Sequence, residues 1–476
     1  MLTAVDNIVI VIAVLGVIAI GAYFSKSITD MESYYLANRS LPWSLIVGTL
    51  MASWYGGNGV VGSIGYASIM GFSTWFIWSI GCHLVRFPLA LWVGPRVHIR
   101  SDVTIPDMIE STYGRLAALI ASVFLFIYCS QIGEITATGI IGQAAWGVDK
   151  VVLGIVVVAI TILLTCLGGL MGVAVTDMIF FFFMVTGVCL VFPVMFEDAG
   201  GLMGLRAVMD AAPEFPGFMH PTAGMSVPKM IMFIMLSINV YADPTFYQRF
   251  SASQTAKSSR RAMLTCFCIW LAFDLVLVFG GIIVRANNLN VASPELAYIE
   301  MILHHLPVGF RALFIIGLFG AIISTLDSYY LIGGTTLAKD IYARGIAKKE
   351  IDDKTLVRLS RIGSVILGCI GVALAFRFTL VYDAVLFLAS MWMSTAFVPI
   401  IMALMYKGKK TPMAGLLSML AGALVFAWFY LNPLVINESI GAVDALLLGV
   451  PASFVAWIIG NRIGEDINAD KIGIQA

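Results

Sequence analysis

The sequence predicts an all-α polytopic membrane protein, and three observations predict it: an apolar composition, a recurrence of apolar stretches long enough to cross a bilayer, and basic residues confined to alternate loops. Of the 476 residues, 60% are hydrophobic and 12% charged. The mean hydropathy is +0.95, which a water-soluble domain of this length would not show, so the surrounding solvent is lipid. The 28 basic and 28 acidic residues cancel. Composition therefore offers no basic face for nucleic acid, and only the placement of charge is informative.

A spanning helix needs about 20 mostly apolar residues. By that measure roughly 13 segments are expected, at 7–24, 43–70, 73–95, 116–146, 151–171, 175–196, 227–248, 261–284, 310–337, 358–377, 380–406, 411–431 and 441–461. The first is read as retained, since Asp6 precedes the apolar run and neither a basic leader nor a small-residue cleavage site is present. Basic residues gather at Lys26 and Arg39, at Arg96, Arg100 and Arg115, at Arg249, Lys257, Arg260 and Arg261, from Lys339 to Arg361, and at Lys407, Lys409 and Lys410. Loops rich in Lys and Arg stay cytoplasmic, which puts the N-terminus outside, the C-terminus inside, and the chain in a plasma membrane, the inner membrane if bacterial. The longest connection, about Glu197 to Val227, reads as a surface loop, so 1–476 is one membrane transport domain: a leading helix 7–24, a core 43–406 and trailing helices 411–461. All seven cysteines lie in apolar stretches without metal-ligand spacing.

Backbone polar groups in lipid must pair internally, so a helix broken at mid-membrane persists only where its freed groups face a cavity, an ion or protein. Two breaks stand out. One is Gly56-Gly57-Asn58-Gly59 in segment two; the other is Asp243-Pro244 in segment seven, where the proline has no N–H for the carbonyl of Val240. They lie five segments apart, as expected if segments two to six and seven to eleven are inverted repeats meeting at a central site. Glycine and proline also serve packing alone in membrane helices.

Segment nine carries Ala321, Ser324, Thr325 and Ser328 on one helical face, with Asp327 at its border. Hydroxyls and unwound-helix carbonyls suit a hard cation such as sodium, although the same hydroxyls also pack membrane helices. Asp177 opens segment six after Gly168-Gly169; an intramembrane acid suggests function, and an exposed N-cap is the plainer role. His83, Arg86, Glu134 and Asp274 lie in apolar surroundings. Arg86 with Glu134 or Asp274 reads equally as a structural ion pair or as solute recognition.

At these positions the chain resembles the sodium:solute symporter family, which includes proline, pantothenate, glucose, iodide and choline carriers. The resemblance rests on Tyr34-Tyr35-Leu36-Ala37-Asn38-Arg39-Ser40-Leu41, Thr104-Ile105-Pro106-Asp107, Tyr113-Gly114-Arg115, Gly168-Gly169-Leu170, Thr176-Asp177, Tyr247-Gln248-Arg249 with Ser251-Ala252, and Ser324-Thr325-Leu326-Asp327-Ser328. It implies a LeuT-like core of five plus five helices with one helix in front and two behind. It also implies a sodium site of Ala52, Tyr55, Ala321, Ser324 and Thr325, sodium being the coupling ion. Some members hold a second sodium at positions that match Asp177, Ser324, Asp327 and Ser328. Trp54 stands where proline carriers have an aspartate, and Trp54-Tyr55-Gly56-Gly57 looks more like the choline-carrier branch.

The expected function is sodium-coupled symport of a small organic solute into the cell by alternating access, not catalysis. The solute pocket is expected to draw on Trp54, Gly56, Gly57, Asn58, Asn239, Tyr241, Asp243 and Asp274. A solute-sensing membrane protein on the same fold is the alternative, disfavoured because only the short stretch Asn461 to Ala476 follows the last segment.

Overall fold

A computed structural model describes residues 2–100, 102–211, 217–222, 230–231, 234, 237–287, 294–347, 351–375, 381–437, 441–442 and 445–465. Among the described residues, nine helices are long and apolar enough to cross a membrane, and the one sheet is a short pairing of Val435–Asn437 with Gly441–Ala442. The roughly 13 expected segments are not matched one to one, because some spans are merged and others divided. The 49-residue helix Lys150–Asp198 covers both 151–171 and 175–196. The start of segment seven, before residue 230, lies outside the described residues.

The leading helix α1 (Ala4–Ser25) begins at Thr3, whose hydroxyl accepts from the Asp6 amide while the Asp6 carboxylate accepts from the Thr3 amide. The other Asp6 oxygen accepts from the Gly309 amide at 2.6 Å, tying α1 to the start of a distant helix. Ile8, Ile12 and Leu15 of α1 face outward at 59%, 64% and 60% exposure, the reverse of a soluble helix and the arrangement lipid favours. The short α2 (Met31–Leu36) leads into α3 (Trp43–Trp54), which stops at the glycine run; α4 (Ser63–Met70) follows a π-type turn at Asn58–Gly62. Segment three is a continuous helical run from 73 to 100 containing α5 (Gly81–Pro88) and α6 (Gly94–Arg100).

After α7 (Ile105–Tyr113), α8 (Arg115–Tyr128) and α9 (Ile132–Trp146) comes the long α10 (Lys150–Asp198). It bends at Gly169, whose φ of 51° and ψ of −166° suit glycine alone. A Cβ there would stand 2.9 Å from the Tyr34 carbonyl oxygen. Gly169 thus sets the direction from which the second half of α10 delivers Asp177. Next come α11 (Gly201–Ala211), α12 (Pro244–Ala252), α13 (Ala256–Asn287), α14 (Pro294–His305) and α15 (Phe310–Thr335), the last prolonged by wide turns through Thr336–Ala347. The chain continues through α16 (Asp353–Ala375), α17 (Val381–Trp392), α18 (Val398–Met405), α19 (Pro412–Leu431) and α20 (Leu446–Ile463).

Helix α15 is central: every residue from Phe314 to Thr335 is buried. It packs closely on α10, where a Cβ on Gly317 would come within 2.5 Å of the Met184 amide nitrogen. At the end of the bundle bearing the basic loops, Arg344 pairs with Asp107, Glu110 and Asp340, and Lys339 pairs with Asp107, so α7 is tied to the end of the α15 run. Burial works to raise the Asp107 carboxyl, but Lys339 and Arg344 outweigh it and hold it below its ordinary value. The Asp107 contribution is therefore present at neutral pH and is lost only as pH falls below the ordinary carboxylate range.

Candidate functional site

The glycine run does break segment two. Tyr55 leaves helical geometry at φ −93° and ψ 34°, and α15 passes close by. A Cβ on Gly56 would lie 2.4 Å from Thr325 Oγ1 and 2.6 Å from each Glu134 carboxylate oxygen, and one on Gly57 would lie 2.5 Å from Ala137 Cβ. Glycine is required here because two helices approach the break to within a side chain's radius. Glu134 holds one of the freed groups, accepting from the Gly57 amide at 2.6 Å. It is thus a positioning acid of the break.

Across from the end of α3, Thr325 donates to the Ser53 carbonyl at 3.0 Å and to the Ala321 carbonyl at 2.9 Å. Ser324 Oγ lies 3.3 Å from Ser53 Oγ. Ala52, Tyr55, Ala321, Ser324 and Thr325 are all buried. Oxygens of α15 therefore face the unwound end of α3, with Ser53 an addition that the sequence reading lacked. It sits between Ala52 and Trp54 and offers both a hydroxyl and a carbonyl, so its position beside the break was the available signal.

The residues matched to a second sodium, Asp177, Asp327 and Ser328, are fully buried, which excludes the exposed N-cap role for Asp177. They surround a cation of the chain itself. Arg249, expected in a basic loop, is buried within α12. Its guanidinium donates to Ser328 Oγ, to Thr49 Oγ1 at 2.9 Å and 3.2 Å, to Ser53 Oγ at 3.4 Å and to Gln248 Oε1 at 2.8 Å. Asp177 lies 3.7 Å from it and accepts from the Thr49 hydroxyl. Among the described residues, Asp177 Oδ1 and Asp327 Oδ2 have no hydrogen-bond partner.

The second break also forms. A 3₁₀ turn at Ile238–Tyr241 ends before α12, and Asp243 caps that helix by accepting from the Thr245 amide at 2.9 Å and its hydroxyl at 2.6 Å. Tyr329 and Tyr128 also donate to Asp243, at 2.6 Å and 3.3 Å. Between the two breaks lies a cavity of about 190 Å³ lined by Ser53, Trp54, Tyr55, Arg86, Tyr128, Glu134, Asn239, Asp243, Asp274 and Thr325 among others. Trp54, Asn239, Asp243 and Asp274 thus meet as expected. Gly56 and Gly57 serve the approach of α15 and α9 instead. Tyr241, the last residue of the 3₁₀ turn, turns away, its hydroxyl donating to the Val85 carbonyl. The side chain of Asn58 lies outside the described residues.

Residues 34–422 match the sodium:solute symporter family. The chain belongs to this family. The osmoregulated proline transporter OpuE of Bacillus subtilis (strain 168) is 24% identical, over 94% of this chain and 93% of that one. A sodium/proline symporter of Staphylococcus aureus (strain JH9) is 25% identical, over 97% and 94%. Among solved structures, a sodium-coupled sialic acid symporter in a substrate-bound outward-open state superposes with a TM-score of 0.82 at 16% identity, covering 98% of both chains. A nucleobase-cation-symport-1 family transporter superposes with a TM-score of 0.50 at 14% identity, over 90% of this chain and 94% of that one. The symporter fold is LeuT-like, and sodium is the coupling ion of the family.

Proposed function

We propose that this sodium:solute symporter imports a small organic solute by alternating access, binding sodium where α15 faces the broken α3 and solute in the adjacent cavity. The observation that carries the reading is the pairing of Thr325 with the Ser53 carbonyl. It brings the hydroxyls of one repeat onto the unwound backbone of the other, so an ion held by both favours one relative position of the repeats. Sodium coordination would use the carbonyls of Ala52, Tyr55 and Ala321 with the hydroxyls of Ser324 and Thr325, oxygen ligands suited to a hard cation. An N-terminus outside and a C-terminus in the cytoplasm of a plasma membrane is the orientation that the bias of Lys and Arg toward alternate loops supports. Proline is a candidate solute from the relatives' names.

In reconstituted vesicles, solute uptake is expected to require a sodium gradient. Ser324→Ala and Thr325→Ala should each raise the sodium concentration for half-activation about tenfold or more, equal to about 1.4 kcal/mol. Wild-type sodium activation in both variants refutes the site.

A second sodium beside Asp177, Asp327 and Ser328 is favoured by one count: two buried carboxylates surround a single guanidinium, and each retains an oxygen with no partner among the described residues. Asp177→Asn or Asp327→Asn is then expected to lower the charge moved per solute, measured as the ratio of current to radiolabelled uptake. An unchanged ratio in both assigns the acids to structure.

A further inference from the structure

At the end of the bundle bearing the basic loops, a groove of about 660 Å³ lies between the end of α6 and the turn that joins α18 to α19. Its walls carry Arg96 and Arg100 from α6 and Lys407, Lys409 and Lys410 from the turn. None of these residues lines the solute cavity or belongs to the proposed sodium sites. Arg100 is anchored toward α7, donating to Ser111 Oγ at 2.8 Å. The turn is pinned by two of its own lysines: Lys410 donates to the Ala403 carbonyl at 2.8 Å, and Lys409 to the carbonyl of Gly464, just beyond α20, at 2.6 Å.

A carbonyl accepts from a cation but carries no net charge, so these bonds position the groups without neutralising them. Arg100 is paired with a carboxylate, that of Asp102, at 2.6 Å. Arg96 donates to the Trp92 carbonyl at 2.9 Å. Among the described residues, Arg96, Lys407, Lys409 and Lys410 form no ion pair, not even with Glu465, which follows the carbonyl that Lys409 grips. Five cations therefore share one concavity with a single paired acid. Burial and the neighbouring charge of Arg100 hold the Lys410 ammonium below its ordinary value, as expected where like charges are kept together. An anion seated among them relieves that repulsion. Donors remain for it, since an ammonium carries three N–H groups and Lys409 and Lys410 each spend one on a carbonyl among the described residues.

The rim indicates what else the anion carries. Trp92, Ile99, Met405 and Tyr406 are exposed beside these cations. Tryptophan and tyrosine next to basic side chains mark the boundary between hydrocarbon and water. A free anion would meet the lysines alone, whereas a ligand with an anionic head and apolar tails meets both surfaces.

We infer that this groove binds the phosphate-bearing headgroup of an anionic phospholipid, held by Arg96, Lys407, Lys409 and Lys410, with its acyl chains against Trp92 and Ile99. Basic clusters beside membrane helices attract such headgroups, and the oxygens of one phosphate can accept charge-assisted hydrogen bonds from several cations at once. A headgroup gripped from both walls ties α6 to the turn between α18 and α19, and a ligand bound only by the folded protein stabilises it by mass action.

The test uses the full-length protein in mild detergent, titrated with dihexanoyl-phosphatidylglycerol, dihexanoyl-phosphatidylcholine, glycerol 3-phosphate and inorganic phosphate. Binding is read as a rise in melting temperature and as adducts in native mass spectrometry. The phosphatidylglycerol is expected to bind at least about tenfold more tightly than the phosphatidylcholine of the same chains, and more tightly than either soluble phosphate. Combining Lys407→Gln, Lys409→Gln and Lys410→Gln should weaken phosphatidylglycerol binding at least about tenfold, one lysine near a lipid surface being worth roughly a fivefold factor. The three corresponding Lys→Arg changes should preserve it. Equal binding of the two lipids overturns the inference, and so does a preference for phosphatidylglycerol undiminished in the triple glutamine variant. Binding of glycerol 3-phosphate or inorganic phosphate as tight as that of phosphatidylglycerol overturns it in favour of a site for soluble anions. Phosphatidylglycerol binding that appears only after removal of residues 466–476 assigns the groove to the chain's own Asp466 and Asp470 and also overturns it. Should the triple variant not be recovered folded, Lys407→Gln alone should lower the preference about fivefold, and an unchanged preference there refutes the site.

Discussion

Replacing Arg249 with glutamine is expected to remove most of the folded protein from the membrane. The guanidinium bridges Thr49 and Ser53 of α3, Ser328 of α15 and Asp177 of α10, and Asp177, Asp327 and Arg249 are all fully buried. Removing one partner of a buried charge group leaves the others uncompensated, at about 3–5 kcal/mol. That is a large share of a total stability of about 5–15 kcal/mol. The measurement is the monodisperse fraction and melting temperature in mild detergent. The double variant Arg249→Gln with Asp177→Asn should recover part of the loss, because it removes charge from both sides. Normal yield and melting temperature in the single variant show that the carboxylates have another source of compensation.

Gly56→Ala carries the second large effect, this time on coupling. The new methyl would have to occupy space 2.4 Å from Thr325 Oγ1 and 2.6 Å from the Glu134 oxygens. Neither neighbour can retreat freely, since Thr325 is tied to the Ser53 and Ala321 carbonyls and Glu134 to the Gly57 amide. Overpacking of a close-packed site costs about 1–3 kcal/mol, and here it falls on a proposed sodium ligand and on the support of the break together. Sodium activation of uptake should shift at least as far as in Thr325→Ala, roughly 10- to 100-fold. A variant with wild-type sodium dependence shows that Thr325 is not a ligand or that the break yields without cost.

These two residues show where the sequence was readable. Gly56 was found because four consecutive residues, Gly56 to Gly59, have no place inside a spanning helix unless backbone is needed there. The hydroxyls of Ser324 and Thr325 were found because helical spacing puts them on one face with Ala321. Arg249 was misplaced because it was counted with Lys257, Arg260 and Arg261 as loop charge. The signal against that was Asp243-Pro244: a cap followed by proline starts a helix, and Arg249 is within its second turn. Trp270 and Phe246, whose ring centroids lie 5.9 Å and 6.1 Å from that of Trp54, escaped for a different reason. Trp270 is one helical turn from Asp274, and His83 one turn from Arg86, so each pair was legible within its own helix. Nothing local states that the faces of α5 and α13 meet across Trp54, which is a tertiary fact.

The buried charges of Asp177, Arg249 and Asp327 come from three separate stretches of the chain, and during synthesis those stretches emerge in that order. Asp177 arrives first, with the second half of α10, a charge at mid-membrane costing about 2.5–3.5 kcal/mol during insertion. Arg249 follows in α12, nine residues that are buried throughout and too short to span alone. It has no reason to enter lipid until Asp177 is waiting there, and Asp327 arrives only with α15. The burial of all three groups therefore predicts an order of assembly, in which the early acid favours entry of the arginine and the arginine then favours the second acid. A lesion at Asp177 would act first on whether α12 inserts, before any solute or ion is ever bound.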